Sequence, residues 1–357
     1  YPEATITGTV ILSAFTTKLA VYSLARGYAG TDLLIMIGSI MTAFPIFYAV
    51  IENDLRRVLA YSLNNQLGFM VVGIGVGTEI ALNGTAAHAF SHILYKGLLF
   101  MSMGAVLYRT GTIKASELGG LYKSMPWTTG FCIIGAASIS AFPLFSGFIS
   151  KSMILTSLGQ EGYWFSWAVL IFASAGVFHH SGIKIPYFAF FAHDSGLRPK
   201  EAPLNMLLAM AITALLCLGI GIYPTALYSI LPYPVDYIPY TTSHVITQLQ
   251  LLFFSALAFT FLMLTGLYPP ELKSTNLDFD WIYRRLIPQF IFFLNSKITE
   301  IDRFARKSLF IWLNHFLRLV DRYYGADSVL ARTLPVGNMV LWAVTLLGLF
   351  LVLYLTG

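Results

Sequence analysis

Nine stretches of this chain are apolar for long enough to cross about 30 Å of hydrocarbon. They centre near residues 5–25, 32–51, 58–77, 81–107, 127–157, 163–182, 204–231, 245–268 and 338–356. The run at 127–157 has room for two segments, so roughly nine or ten helices are expected. With 57% hydrophobic and only 11% charged residues, and a mean hydropathy of +0.70, the composition excludes a water-soluble domain of this length. The expected fold class is therefore an all-α polytopic membrane protein.

Against that background the stretch "AAHAFSHILYKGLLF" stands out, because His88, His92 and Lys96 lie inside a spanning segment. Lys18 and Lys151 are likewise flanked by apolar residues. Each lysine at the centre of a bilayer costs about 2.5–3.5 kcal/mol, so the three should face protein or a water-filled cavity rather than lipid. The spacing 88, 92, 96 advances about 400° per step, which stacks the three side chains along one stripe of one helix. Desolvation brings a lysine toward neutrality, and imidazole already titrates there, so both types can exchange protons where arginine cannot.

Four readings of this ladder stay open: a proton relay, histidines satisfied structurally by a neighbouring helix, an H-x-x-x-H zinc pair, and lysines that snorkel to the interface. Zinc has no third ligand in view, and the glutamate of H-E-x-x-H is missing. Ser91, Tyr95, Thr16, Thr17, Ser146 and Ser150 could orient water between the titratable groups or simply bond to backbone. His180 and Lys184 form another i, i+4 pair where a span runs out before Pro186, and either extend the relay to one surface or sit among headgroups. His193 and Asp194 read as solvated, and the charges of "ENDLRR" as paired with one another or marking the interface.

Cys132 and Cys217 both fall in apolar runs and read as small buried side chains. There is no disulfide framework, haem motif or other cofactor-binding signature, and no metal set. The net charge of +5 reflects topology more readily than ligands, and no basic cluster in a soluble domain points to nucleic acid. Tyr1 leads almost directly into a span without a signal peptide, so the chain is expected to be part of something longer.

Residues 13–18, "SAFTTK", and 146–151, "SGFISK", share the pattern S-x-F-x-x-K. Counted along the spans, the second helix comes five after the first and would run antiparallel to it, as in an inverted repeat. Pro143 and Gly147 suit a broken helix that frees backbone groups near Lys151. Beyond residue 270 charged residues become frequent. Ile298, Ile301, Ala305, Trp312, Phe316, Leu319 and Tyr323 recur at helical spacing there, predicting an amphipathic helix of about 30 residues that lies along the membrane surface or another subunit. "VLWAVTLLGLFLVLYLTG" then forms a terminal anchor. The positive-inside rule puts this basic segment in the cytoplasm, with "ENDLRR" and the Lys114 loop expected at the opposite side.

"VIENDLRRVLAYSLNNQLGFM" resembles the D-[IL]-[KR]-R-x-x-A-Y-S-x-x-x-Q-x-G stretch of the antiporter-like membrane subunits, and "HAFSHILYKGLLF" and "FPLFSGFISK" follow at family spacing. That family comprises the large proton-pumping subunits of respiratory complex I, their hydrogenase counterparts, and the large subunits of Mrp-type sodium/proton antiporters. The opening "YPEATITGTVILSAFTTKLAVYSLARG" looks most like the D-type Mrp subunits. The resemblance covers about residues 1–230 and implies a partial inverted-repeat, antiporter-like fold with broken helices. With the pattern read beyond residue 270, the expected layout is residues 1–57 ending the first repeat, 58–200 forming the second, 201–270 adding helices, 271–335 a lateral amphipathic segment and 336–357 the anchor.

By the same resemblance Lys18 matches the broken-helix lysine of the first repeat, Lys96 the central lysine, His88 and His92 the histidines before it, and Lys151 the broken-helix residue of the second repeat. The family's glutamate partner for Lys18 would precede Tyr1, and the helix after Lys18 carries no ionisable group beyond Tyr48, so a link to Lys96 would need water near Ser39 and Thr42. The expected function is a proton-translocating subunit of a multi-subunit cation/proton antiporter in a bacterial inner membrane, without a catalytic site of its own. Its partners would be other membrane subunits, the lipid bilayer, protons and, as a second candidate cargo, sodium. Rival expectations are a pumping subunit of an NADH–quinone oxidoreductase or membrane-bound hydrogenase, and a non-conducting scaffold.

Overall fold

The computed structural model describes residues 1–269, 271–272, 276, 280–328, 331–332 and 335–356. The chain divides into two compact units, Tyr1–Asn276 and Leu277–Gly357. The first unit holds α1 (Ile6–Tyr28), α2 (Asp32–Ile51), α3 (Leu55–Val76), α4 (Glu79–Thr110), α5 (Pro126–Ile139), α6 (Ser146–Gln160), α7 (Trp164–Phe191), α8 (Leu204–Ile222) and α9 (Thr242–Leu264). The second holds α10 (Ile287–Tyr324) and α11 (Val336–Thr356). Seven of the described helices are long and apolar enough to span a bilayer, α11 among them. The protein is an integral, all-helical membrane protein.

Local chemistry sets the ends of these helices. Asp54 caps α3, its carboxylate accepting from the amides of Arg56 at 2.8 Å and Arg57 at 3.0 Å. Gly77 and Gly111 stop α3 and α4 in the left-handed conformation, with φ of 73° and 75°. α5 and α6 are two halves of one crossing, interrupted at 140–145 where Ala141 and Leu144 hold φ of 57° and 75°. Two side-chain-bearing residues in that region cost on the order of 1–3 kcal/mol each, strain of the kind retained at functional sites. α1 is continuous but carries a π-turn at Leu12–Thr16, and α7 one at Phe178–Lys184.

Loop contacts sort the helix ends onto two faces of the first unit. On one face the backbone at Asp54 pairs with Lys114, Arg56 donates to the carbonyl of Ala4 at 2.9 Å, Arg109 donates to the carbonyl of Glu201, and Asn276 donates to that of Ile51. On the other, Gly30 donates to Ile74, Thr78 meets Ser157, and Tyr163 donates to Asp32. "ENDLRR" and the Lys114 loop therefore share a face with Glu271 and Asn276, which corrects the expectation that they lie opposite. Arg56, Arg57, Arg109, Lys114, Lys123, Arg198 and Lys200 all belong to this basic face, whereas the other offers Arg26.

The same contacts give the direction of each crossing. α1 starts at the basic face, and so does the α5–α6 pair, so the two S-x-F-x-x-K helices run parallel. The antiparallel expectation fails because the break at 140–145 splits one crossing into two, and counting both halves as spans added a reversal that the chain does not make.

Arg198, the amide of Gly196 and Lys123 hold the Asp194 carboxyl well below the usual carboxylate range on the basic face. The Arg198 and Lys123 contacts are 2.6 Å and 3.0 Å. A depressed carboxylate stabilises its loop fully above the ordinary aspartate value of about 3.9, and that contribution is lost as pH falls through the lowered value. The amide of Ser195, which donates to Gly119, should stay protected from hydrogen exchange from neutral pH down to about 4. It should lose protection at every pH in Asp194→Asn; equal protection in the two proteins would contradict this.

In the second unit α10 runs for 38 residues, about 57 Å, longer than the sequence pattern predicts. Arg306 donates to Asp302 at 2.8 Å one turn earlier, and Trp312 stacks on Phe316 with centroids 5.6 Å apart. Charged and apolar residues occupy different sides of the helix, as its spacing requires.

Candidate functional site

α4 runs through the first unit and is buried along most of its length. His88, His92 and Lys96 are each fully buried on it, and Lys151 is 3% exposed. The helices around α4 bring polar groups to these side chains from every direction.

Lys18 on α1 places Nζ 2.5 Å from His92 Nδ1. The same ammonium donates at 2.8 Å to the carbonyl of Ser13, which lies within the π-turn. His88 Nδ1 lies 3.2 Å from Ser150 Oγ on α6, and its Nε2 3.3 Å from Tyr95 OH. Tyr95 in turn donates to Gln66 at 3.0 Å, and Gln66 to Asn65 at 2.6 Å. The rings of His88 and His92 have centroids 6.2 Å apart.

Lys96 donates to Ser62 Oγ at 2.8 Å and to the Leu59 carbonyl at 3.3 Å. Ser62 receives a second bond from Ser181 on α7 at 2.8 Å, and Ser181 meets His180 Nδ1 at 2.8 Å. A line of hydrogen bonds therefore leads from Lys96 across α3 to α7. Lys184 follows His180 on the same helix, is fully buried, and donates to the carbonyls of Val50 at 2.6 Å and Glu52 at 2.7 Å. Those two residues end at or beyond the last turn of α2, where carbonyls lack helical partners.

Lys151 sits just past the break between α5 and α6 and donates to the Ile139 carbonyl at 2.6 Å. The break frees that carbonyl, and Gly147 lets α6 approach the end of α5 closely, because a Cβ there would run into the Ser138 carbonyl. Lys151 also stands 5.4 Å from the centre of the Phe69 ring. Lys18 and Lys151 thus share one local feature, an ammonium held by a backbone carbonyl at an irregular point of a helix.

Among the described residues no carboxylate lies within ion-pair distance of Lys18, Lys96 or Lys151. Unpaired charges in a low-dielectric interior repel one another over many ångströms. Protonating one of these sites therefore opposes protonating the next, which is the property a stepwise carrier needs.

Of the hydroxyls named from sequence, Ser150 and Tyr95 touch His88, Thr17 accepts from Lys18 at 3.2 Å, and Ser146 pairs with Ser138. Ser91 Oγ has no hydrogen-bond partner among the described residues. Ser39 and Thr42 bond back to carbonyls of their own helix, so the contact of Lys18 with His92, rather than that pair, joins α1 to α4. Sequence reasoning gave no role to Ser62, Asn65, Gln66 or Ser181. The signal for Ser62, Asn65 and Gln66 lay in "SLNNQ", where polar residues recur at i, i+3 and i+4 inside a spanning helix, and that for Ser181 in its place beside His180. Cys132 and Cys217 are buried and free.

Residues 1–178 match the family described as "NADH:quinone oxidoreductase/Mrp antiporter, TM". The chain is 30% identical over 229 residues to the D-type Na(+)/H(+) antiporter subunit of Alkalihalophilus pseudofirmus, covering 60% of this chain and 46% of that protein. It is 31% identical over 213 residues to hydrogenase-4 component B of Escherichia coli, covering 53% of this chain and 32% of that one. The chain thus spans less than half the length of these curated relatives. Its fold is similar to a chain of the Mrp complex from Dietzia sp., with a TM-score of 0.59 at 22% identity, over 64% of this chain and 52% of the other. It is also similar to a chain of a membrane-bound sulfane sulfur reductase, an archaeal respiratory membrane complex, with a TM-score of 0.60 at 22% identity over 97% of this chain and 63% of the other.

Proposed function

Because the chain belongs to the family of NADH:quinone oxidoreductase and Mrp antiporter membrane subunits, we propose that it translocates protons as one subunit of a multi-subunit monovalent cation/proton antiporter. The observation that carries this reading is the polar line inside an apolar bundle, from Lys18 and His92 on one side to Lys96, Ser62, Ser181 and His180 on the other. Lys96 is the central carrier, His88 and His92 relay protons to it, and Lys18 modulates His92 by direct contact. Lys151 exchanges protons at the broken crossing, and His180 and Lys184 extend the relay toward the basic face. Transfer is driven electrostatically, since a charge arriving at one lysine raises the cost of keeping a proton on its neighbours.

The positive-inside rule assigns the basic face to the cytoplasm of a bacterial plasma membrane. α10 lies along the membrane against neighbouring subunits, its apolar stripe covered, and α11 anchors it. A second reading, a pumping subunit driven by redox chemistry in other chains, is favoured by the fold likeness to the sulfane sulfur reductase chain, which extends over 97% of this chain. Inverted vesicles containing the whole complex from the full-length gene separate the two. An antiporter is expected to move protons when a sodium gradient is imposed without any reductant. Proton movement that requires a reductant and ignores sodium would replace this reading with the second.

A further inference from the structure

Lys184 has a neighbour that the proposed relay does not use. Glu271, in the segment after α9, places Oε1 2.9 Å from Lys184 Nζ, and the two side chains are 7% and 0% exposed. Among the described residues neither Glu271 oxygen is held by a backbone amide or hydroxyl. Glu52, the other acid nearby, differs: its carboxylate accepts from the amides of Asn53 at 2.9 Å and Asp54 at 3.1 Å and stands 4.0 Å from Arg57. Glu52 is thus held by backbone amides, whereas among the described residues Lys184 is the group that holds the Glu271 carboxylate.

Glu271 also lines a cleft of about 330 Å³ together with Ser116, Phe188, His193, Tyr268 and Pro269. His193 is exposed, so the cleft opens beside it to the basic face. Among the described residues, the charged and titratable groups around Glu271 are Lys184 and His179 from α7, Glu52 from the end of α2, Tyr268 from its own segment, and His193 across the cleft. Burial pushes the Glu271 carboxyl up from its ordinary range, and Lys184 opposes that shift.

Resting on the proton-translocating reading above, we infer that Glu271 is the group that exchanges protons between bulk water at the basic face and the buried line, handing them to Lys184. In the transfer the O–H bond of the Glu271 carboxylic acid breaks and an N–H bond forms on the neutral Lys184 amine, leaving a carboxylate and an ammonium 2.9 Å apart. The ion pair compensates the two charges, so the step moves a proton inward without stranding an isolated charge. The next stations are His180 on the same helix, then Ser181, Ser62 and Lys96. The cleft brings water to one partner of the pair while Lys184 stays fully enclosed.

The test uses the assembled complex from the full-length gene in inverted vesicles, which expose the basic face, with proton flux started by a pH step. Glu271→Gln keeps the shape but cannot carry a proton, and should lower the rate about tenfold or more, whereas Glu271→Asp should keep most of it. Glu271→Ala should be slow and should regain flux when formate is added, because a small acid fits the cleft and can replace the missing carboxyl. Wild-type flux in Glu271→Gln beside a dead Lys96→Ala control would overturn this inference and leave the proton reading standing. Wild-type flux in Lys96→Ala would overturn the proton reading itself. If Glu271→Gln fails to assemble, the Ala variant with and without formate decides among assembled complexes: no rescue means the carboxylate only holds Lys184 in place.

Discussion

Replacing Lys96 with alanine should lower proton flux through the assembled complex by roughly 10²-fold or more, the usual contribution of a positioned proton carrier. Lys96 is fully enclosed and touches the Ser62 hydroxyl and the Leu59 carbonyl. Its removal leaves Ser62 bonded to Ser181 without the titratable partner that α4 supplies. Assembly should suffer less than flux. Truncation opens a cavity, but it also removes a buried cation whose insertion costs about 2.5–3.5 kcal/mol. The check is flux per assembled complex, with assembly measured by co-purification of the partner subunits. A scaffold without a conducting role would show the reverse, unchanged flux in whatever fraction assembles.

Gly68→Val should have the largest effect on assembly, because α2 and α3 meet through glycine. A Cβ on Gly68 would come 2.6 Å from the Thr42 amide nitrogen and 2.7 Å from the Gly38 carbonyl oxygen. A Cβ on Gly38 would come 2.7 Å from the Val72 nitrogen. These are backbone atoms, which cannot rotate away, so the helices must part. Without a hydrophobic drive between helices in lipid, close packing and polar bonds such as that from Asn65 to the Thr42 carbonyl hold the pair together. A loss of about 3 kcal/mol or more is expected, seen as a lower melting temperature and loss of the assembled complex on gel filtration. Gly219→Val is the control, since a Cβ there meets nothing within 4 Å. Equal behaviour of the two variants would contradict the packing argument.

The sequence was most legible where one helix carried the whole signal. His88, His92 and Lys96 share a stripe because of their spacing alone, and the interruption before Lys151 follows from Pro143 and Gly147. What depended on several helices was harder to read. Ser62 sits near Asn64, Asn65 and Gln66, and Ser181 beside His180, yet their hydroxyls are no different in type from those of Ser39 or Thr213, which bond back to their own helices. Only packing decides which hydroxyl meets a lysine. Glu271 lies in the segment after α9, far along the chain from Lys184, so nothing local announces their contact.

The parallel course of α1 and α5–α6 was misread because half-helices and full spans look alike in a hydropathy pattern. The same miscount put "ENDLRR" opposite the residues that precede α10. Once the break at 140–145 counts as one crossing, every basic loop of the first unit gathers on one face. The contact of Lys18 with His92 also escaped the sequence, since it joins two helices whose register no motif fixes.

The central claim is that Lys96 carries protons and does not merely supply positive charge. The most direct measurement compares proton flux in vesicles among wild type, Lys96→Ala and Lys96→Arg at matched assembly. Arginine keeps the charge but does not release its proton under physiological conditions, so the account predicts that Lys96→Arg is as inactive as Lys96→Ala. Flux near the wild-type rate in Lys96→Arg would show that a fixed cation suffices there and would contradict the relay.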